Sequence, residues 1–485
     1  MESALKLVTC EYRRRKPEQT LLHEALCDHL ETFLDRVHTE EFDLPTHVVK
    51  ELGEFLTCGV LAHGFVRVRC KDCGKSMAVG YSCKGRGFCP SCTGRRMADT
   101  SARLVDDVFP TNVPVRQWVL SLPIQIRYRL AYDGKLLFDV LAVFLRVVRG
   151  WYRKRGRELG IKACVCGSVT FSQRFGSALN LNPHFHALLL DGVFNAKSNV
   201  FHPAPELQDK DVKEIVETTA RRVIALLKRR GVLDDDMYDA FACDQPLLAG
   251  MTAASVMGLV STGDRAGRRV RRVLSDPSEA IQTGPLCFAA NGFSLHAATR
   301  IDAGDKARLE RLCKYVSRPP LAHGSLQQLS QDEYSFKLKT PWSDGTTHLI
   351  LSGLELCEKL AALVPPPRKN LVRYHGILAP HAKNRDKVVP KKSDEEELRK
   401  SRGLSKNRLL WSALLARTFG LNVEACRHCG GRMRIVAAIT DRASIKRYLD
   451  GVGLPSEIPE IKPARPPPQF EFGYEDYDYE YSDDF

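Results

Sequence analysis

Gly167-Ser-Val-Thr-Phe-Ser-Gln173 and His184-Phe-His186-Ala-Leu-Leu-Leu190 are the two runs that decide the fold of this chain. The first alternates small or polar with apolar side chains. The second passes from paired histidines through an apolar stretch into Asp191-Gly192, so the two read as neighbouring strands joined by a loop. Residues two apart on a strand project to the same side, which lets the imidazoles of His184 and His186 share one cation. A satisfied structural histidine pair has the same spacing, so the surrounding sequence must decide between the two.

At 485 residues and 44% apolar content the chain can bury at least one large core and is expected to form roughly two to four domains. Its net charge of +14, from 72 basic against 58 acidic residues, favours an anionic partner, nucleic acid first among them. The start lacks the basic, apolar and small-residue succession of a secretion signal. The best apolar run, Leu136 to Val148, is interrupted by Asp139 and Arg146, so neither export nor a membrane span is expected and the cytoplasm is the expected location. Sixteen cysteines, several in Cys-x-x-Cys pairs, point in that setting to metal rather than disulfides.

Leu22, Leu26, Leu30, Phe33, Leu34 and Val37 recur at helical spacing between Gln19 and Thr39. From Val113 to Phe194 the pattern is α+β, with a strand over Gln117–Pro123 and a helix from Leu136 to Arg157; a further helix is expected from Val212 to Arg230. Arg265, Arg268, Arg269, Arg271 and Arg272 form the densest basic cluster, suited to a phosphate backbone or equally to a solvated loop. Pro365-Pro-Pro367 marks a boundary, and Lys383 to Arg402 reads as a linker or exposed arm. After Leu454 the chain turns proline-rich and then acidic-aromatic from Phe470 to Phe485, which predicts disorder. That tail could compete with a polyanion for the basic surface or simply aid solubility. The resulting division is a helical segment at 1–50, a zinc-binding domain at 51–105, a main domain at 106–365, an accessory region at 366–452 and a tail at 453–485.

Cys70-x-x-Cys73 and Cys89-x-x-Cys92 are spaced as a four-cysteine zinc site. Cys83 lies between the pairs and Cys58 and His63 precede them, leaving room for a second ion or another choice of four ligands. Lys71, Lys75, Lys84, Arg86, Arg95 and Arg96 crowd this stretch, which suggests a module that grips DNA; a purely structural zinc is the alternative. Cys426-Arg-His-Cys429-Gly-Gly resembles half of another zinc ribbon, but no second pair follows it, so no metal is assigned there.

Ser82-Cys-Lys-Gly-Arg-Gly-Phe-Cys-Pro-Ser-Cys92, Val115-Arg-Gln-Trp-Val-Leu-Ser-Leu-Pro123, Gln173-Arg-Phe-Gly-Ser-Ala-Leu-Asn-Leu-Asn182 with His184-Phe-His186, and Tyr315-Val-Ser-Arg-Pro-Pro320 together resemble the rolling-circle HUH transposases of the IS91 group. The resemblance implies a zinc-binding domain ahead of an HUH nuclease domain on a Rep-like antiparallel sheet with helices, followed by a helical or irregular C-terminal region. It further implies that Mg2+ or Mn2+ on His184 and His186 polarises a phosphate of single-stranded DNA at the element's ends and target. Tyr315 would then attack to leave a 5′-phosphotyrosine and a free 3′-hydroxyl. Gln173 is the candidate third ligand, with Asn180, Asn182 or water competing. Pro319 stands four residues after Tyr315, where two-tyrosine relatives carry a second tyrosine, so the chain resembles the single-tyrosine branch; Tyr128 and Tyr132 have that spacing but read as structural. Lys314 and Arg318 would hold flanking phosphates if Leu309 to Ser317 is helical. No nucleotide-binding Gly-x-x-x-x-Gly-Lys-Ser/Thr loop is present, so a host helicase is an expected partner. Two other readings remain: a zinc-dependent nucleic-acid-binding regulator with a structural histidine pair, and a carboxylate-metal nuclease with Tyr315 in its core.

Overall fold

In a computed structural model the described residues are 14–38, 43–233, 239–274, 284–390 except 323 and 343, 414, and 423–466. The class is α+β, as expected, with helices around antiparallel sheets and no closed barrel. The central sheet runs in the order Cys287–Ala290, Phe293–His296, Val115–Ser121, Leu181–Leu190, Gly167–Phe175, Val372–Gly376, with Arg300–Ile301 also paired to Val115–Ser121. The strand bearing the histidines is therefore internal. His184 pairs across to Gln173 on one side and Ser121 on the other, and His186 to Phe171 and Val119.

Both faces of this sheet are covered, which is why Ala187-Leu-Leu-Leu190 is apolar at every position instead of alternating. On one face Trp118, Leu120, Phe185, Ala187 and Leu189 pack under the helices Gly134–Glu158 and Asp209–Arg229. On the other, Val115, Val169, Phe171, Leu188 and Leu190 meet the helices Pro90–Asp107 and Lys306–Val316. The side chain of Asp133 caps the Gly134–Glu158 helix by accepting from the amide of Leu136, satisfying a donor that would otherwise have no partner. The expected N-terminal helix spans Leu21–Val37, with Leu22, Leu26, Leu30, Phe33 and Val37 buried. No described helix is long and apolar enough to cross a membrane.

One buried ionic network locks the sheet to its helical cover. Asp191, at the end of the histidine strand, accepts from Arg116 Nε at 3.0 Å and Nη2 at 3.1 Å, from the Tyr152 hydroxyl at 2.7 Å and from Arg300 Nε at 2.8 Å. The Tyr152 hydroxyl in turn accepts from Trp118 Nε1 at 3.3 Å. Strands and the long helix are thus joined through one carboxylate.

Three expectations about organisation need correcting. The strand Val372–Gly376 lies beyond the expected boundary at 365 yet forms the edge of the central sheet, so residues following Pro365-Pro-Pro367 belong to the main domain's hydrogen bonding. Strand Met433–Ile439 pairs antiparallel with Phe65–Cys70, so the accessory region completes the sheet of the N-terminal module. Residues 453–466, expected to be disordered, are tied down: the Lys462 amide donates to Cys27 O at 2.9 Å, Lys462 pairs with Asp28, and Arg465 pairs with Asp332. This proline-rich stretch, which forms no ladder of its own, is held by the Cys27 carbonyl and the Asp28 side chain of the Leu21–Val37 helix and by Asp332. The acidic-aromatic run from 470 to 485 and most of the expected linker lie outside the described residues.

Replacing Asp191 with Ala leaves the buried guanidinium of Arg116 without its counter-charge, a defect that costs about 3–5 kcal/mol. The urea midpoint of Asp191→Ala should fall accordingly, and an unchanged midpoint would remove this network from its anchoring role.

Candidate active site and metal centres

His184 and His186 face the same side of their strand, as period-two geometry requires, and open into a cleft of about 520 Å³. Their Nε2 atoms lie 3.1 Å apart, and His186 Nε2 lies 3.2 Å from Gln173 Oε1, brought there by the neighbouring strand. Adjacent ligands of an octahedral cation bound at about 2.1 Å stand about 3.0 Å apart, so this donor set fits such an ion. His184 Nδ1–H donates to the carbonyl of Asn182 at 2.6 Å, leaving its Nε2 lone pair free to point into the cleft.

The side-chain amide of Gln117, 2.7 Å from His186 Nδ1, selects between two states of the site. If its NH2 donates, His186 carries its proton on Nε2 and satisfies Gln173 directly, which is the structural-pair arrangement. Turned over, the amide oxygen accepts the Nδ1–H and frees Nε2 for a cation. Burial holds His186 far below the usual imidazole range, at about 3, assisted by His184 and Arg318, and burial likewise lowers His184. Both rings are therefore neutral near pH 7, the form that ligates. Asn182 Oδ1, at the wall of the same cleft, is buried without a hydrogen-bond partner among the described residues, as expected of a site built to receive a ligand.

Tyr315 reaches the cleft from the far side. It sits in the last turn of the helix Lys306–Val316, whose N-terminus is capped by Asp305 and whose apolar face, Leu309, Leu312, Cys313 and Val316, is buried. Its own ring is 41% exposed and stands edge-on to His186, 6.1 Å between centroids and 90° between planes. Two cations flank the ring. Arg318 lies 5.0 Å from its centre and Lys339 Nζ 4.1 Å. Burial, then Arg318, lowers the Lys339 ammonium below the usual lysine range.

Of the expected phosphate contacts, Arg318 lines the cleft and Arg268 is exposed, but two are engaged elsewhere. Lys314 pairs with Glu310 at 2.9 Å, one turn back on its own helix, and Arg271 pairs with Glu333. Arg265 and Arg272 are also paired, with Glu355 and Asp344, so most of the arginine cluster is neutralised internally. Tyr128 and Tyr132 both donate to Asp239, an arrangement that fixes packing.

The cysteines regroup. Cys70, Cys73, Cys89 and Cys92 were expected around one ion, but Cys89 and Cys92 gather with Cys83 and Cys58, while Cys70 and Cys73 face Cys426 and Cys429. The reason is the sheet: the hairpin from Phe65 to Gly80 carries Cys70 and Cys73 to its tip, away from the start of the Pro90–Asp107 helix, where Cys89 and Cys92 are found. In the first group the sulfurs of Cys58 lie 3.6 Å from Cys89 and 3.7 Å from Cys92, and Cys83 lies 3.5 Å from Cys92. A tetrahedral Zn–S length of about 2.3 Å places sulfurs about 3.8 Å apart, so the group fits zinc. His63 is not among these ligands.

Sequence reading missed Gln117, His296 and Lys339. Gln117 lines the cleft from the strand next to the histidines and His296 from the strand beyond it, and only the polar side chain of Gln117 among apolar neighbours hinted at this. Nothing local marks Lys339, whose relation to Tyr315 is wholly tertiary.

Residues 167–386 match the family described as "Putative transposase", and residues 26–122 match the transposase zinc-binding domain of the IS91 group. The first range contains both histidines, Gln173 and Tyr315; the second contains the Cys58 group. No curated protein and no solved structure matches the chain.

Cys58→Ser should lower bound zinc by one equivalent although Cys58 belongs to no Cys-x-x-Cys pair, whereas His63→Ala should leave metal content unchanged. Elemental analysis reads both, and loss of zinc in His63→Ala alone would overturn the grouping.

Proposed function

The chain belongs to the IS91-family transposases, with a zinc-binding domain towards its N-terminus, and from that premise we propose that it cuts and rejoins single-stranded DNA through Tyr315. The observation that carries this reading is the approach of the Tyr315 ring to His186 across a cleft that also gathers His184 and Gln173. Bound to His184, His186 and Gln173, a divalent cation such as Mg2+ or Mn2+ would supply Lewis-acid charge to the scissile phosphate. The neutral, desolvated rings and the Gln173 oxygen suit that cation.

The remaining work falls to the chain itself. A phosphodiester repels an incoming oxygen, so attack requires compensating positive charge and an attacker held in line. Arg318 and Lys339, both packed against the phenol ring, can hold the non-bridging oxygens as charge accumulates. The phenolic proton passes to solvent, to which Tyr315 is partly exposed. The Tyr315 oxygen forms a bond to phosphorus, the bond from phosphorus to the 3′ oxygen breaks, and that oxygen leaves as a hydroxyl after taking a proton. The 5′-phosphotyrosine keeps the bond energy, so a second 3′-hydroxyl can reverse the step on another strand.

The cleft volume falls in the range of roughly 300–1,000 Å³ typical of pockets for small ligands, room for a nucleotide beside the histidines. Strand separation is assigned to a host helicase, in keeping with the lack of a nucleotide-binding loop in the sequence.

Incubation with 3′-end-labelled single-stranded oligonucleotides from the element's ends and Mn2+, followed by denaturing electrophoresis, should give the labelled downstream fragment linked to the protein through its 5′ phosphate. The adduct should be absent in Tyr315→Phe and in the double variant His184→Ala/His186→Ala. Oligonucleotide binding with no adduct under any divalent ion would instead favour a DNA-binding regulator.

Lys339→Ala should slow adduct formation about 10²-fold, the scale of losing one preorganised charge contact, with oligonucleotide affinity nearly unchanged. An unaltered rate would take Lys339 out of the reaction.

A further inference from the structure

We propose that Cys70, Cys73, Cys426 and Cys429 hold a second structural zinc, and that this ion clamps the C-terminal strand and helix onto the N-terminal module. The four thiol sulfurs lie within 4.8 Å of one another. The nearest approaches run between the pairs rather than within them: Cys70 to Cys429 at 3.5 Å and Cys73 to Cys426 at 3.5 Å. That is far beyond a disulfide bond of about 2.05 Å and close to the edge of a zinc-thiolate tetrahedron, about 3.8 Å.

The two pairs are built alike. Each is a Cys-x-x-Cys-Gly turn, Cys70-Lys-Asp-Cys73-Gly74 and Cys426-Arg-His-Cys429-Gly430, and each glycine takes the left-handed conformation, with φ +74 and +75. That conformation turns the chain back sharply after the second cysteine, so both sulfurs of a pair face the same point. The Gly430 amide donates to Cys426 O and the Cys426 amide to Gly431 O, both at 2.7 Å, which closes the second turn. The turns also pack closely: a Cβ on Gly431 would come within 2.0 Å of Asp72 Oδ2, so a larger residue there would have to push the Asp72 side chain aside. The Lys71 amide donates to Arg432 O at 3.2 Å, continuing the ladder between Phe65–Cys70 and Met433–Ile439.

The C-terminal unit needs such a clamp. Apart from strand pairing, the core it shares with the N-terminal module has five buried side chains, Leu61, Phe65, Ala78, Ile445 and Leu449, with Ile439, Tyr448 and Leu454 partly buried against them. So small a core offsets little of the entropy of docking an element so far along the chain, Cys426 lying 353 positions after Cys73. A metal that binds only the assembled site adds its binding free energy to docking. Removing it should free the C-terminal unit while leaving the Cys58 group intact.

The test uses the full-length protein purified without chelator. Elemental analysis should give two zinc ions per chain for the wild type and one for Cys426→Ser/Cys429→Ser, and limited proteolysis should release a C-terminal fragment only from that variant. Cys429→His, which keeps four ligands, should retain two ions and the protected C-terminus, and so separates metal loss from a generally damaged turn. If the serine variant is insoluble, the wild-type count and Cys429→His still decide. One zinc in the wild type, two in the serine variant, or a Cys70–Cys429 or Cys73–Cys426 disulfide in the peptide map would overturn the proposal.

Discussion

Antiparallel register is the constraint on which this molecule depends. Because Leu181–Leu190 is hydrogen-bonded on both sides, His184 must stand opposite Gln173 and Ser121, and His186 opposite Phe171 and Val119. A slip of one residue would turn both imidazoles into the core beneath the long helix and bring Phe185 and Ala187 to the cleft. The buried Asp191 network guards against that slip. One carboxylate at the strand's end accepts from Arg116 and Arg300 on two other strands and from Tyr152 on the covering helix.

The zinc-binding domain bears on the cleft through packing. Cys89 is the residue before the helix Pro90–Asp107, and Cys92 lies in its first turn, so the Cys58 group fixes where that helix begins. Leu104 and Val105 of the same helix, with Val108 at its C-terminal cap, share a core with Leu309, Leu312, Cys313 and Val316 of the helix that carries Tyr315. The position of a phenol whose distance from His186 matters is thus set partly by four thiols in another part of the molecule. Basic side chains around the zinc module bond inwards as well: Arg86 to the carbonyl of Lys369 and Arg96 to those of Gly85 and Lys84. The module's charge therefore stiffens its own loops in addition to giving the surface a positive character.

Much of the architecture could be read locally. Helical periodicity located Leu21–Val37, Gly134–Glu158 and Asp209–Arg229 to within a few residues, because each buries one face and the apolar side chains repeat accordingly. Alternation located the two central strands, and the geometry of a strand placed the histidines on one side. The place of Gln173 beside the histidines was readable because it stands opposite His184 in a hairpin-like pairing close in sequence. The arginine cluster was misleading because local composition does not show counter-charges: Glu333, Asp344 and Glu355 come from segments some 60 to 90 residues away. The proline-rich segment after Leu454 misled for the same reason, since its partners, Asp28, Thr32 and Asp332, belong to distant segments.

The sequence by itself determined the α+β class, the paired imidazoles, the candidate tyrosine and the presence of cysteine turns, since each follows from short-range periodicity or from covalent spacing. Which turns face each other was decided only in three dimensions. Two identical Cys-x-x-Cys patterns offer the same ligands to zinc, and spacing alone favoured joining Cys70 and Cys73 to the nearer pair. Strand pairing between Phe65–Cys70 and Met433–Ile439 brought the distant pair closer instead. Tertiary packing likewise chose Lys339 and Arg318 as the cations beside Tyr315, because contact between remote segments depends on how buried surfaces fit together, and no local pattern records it.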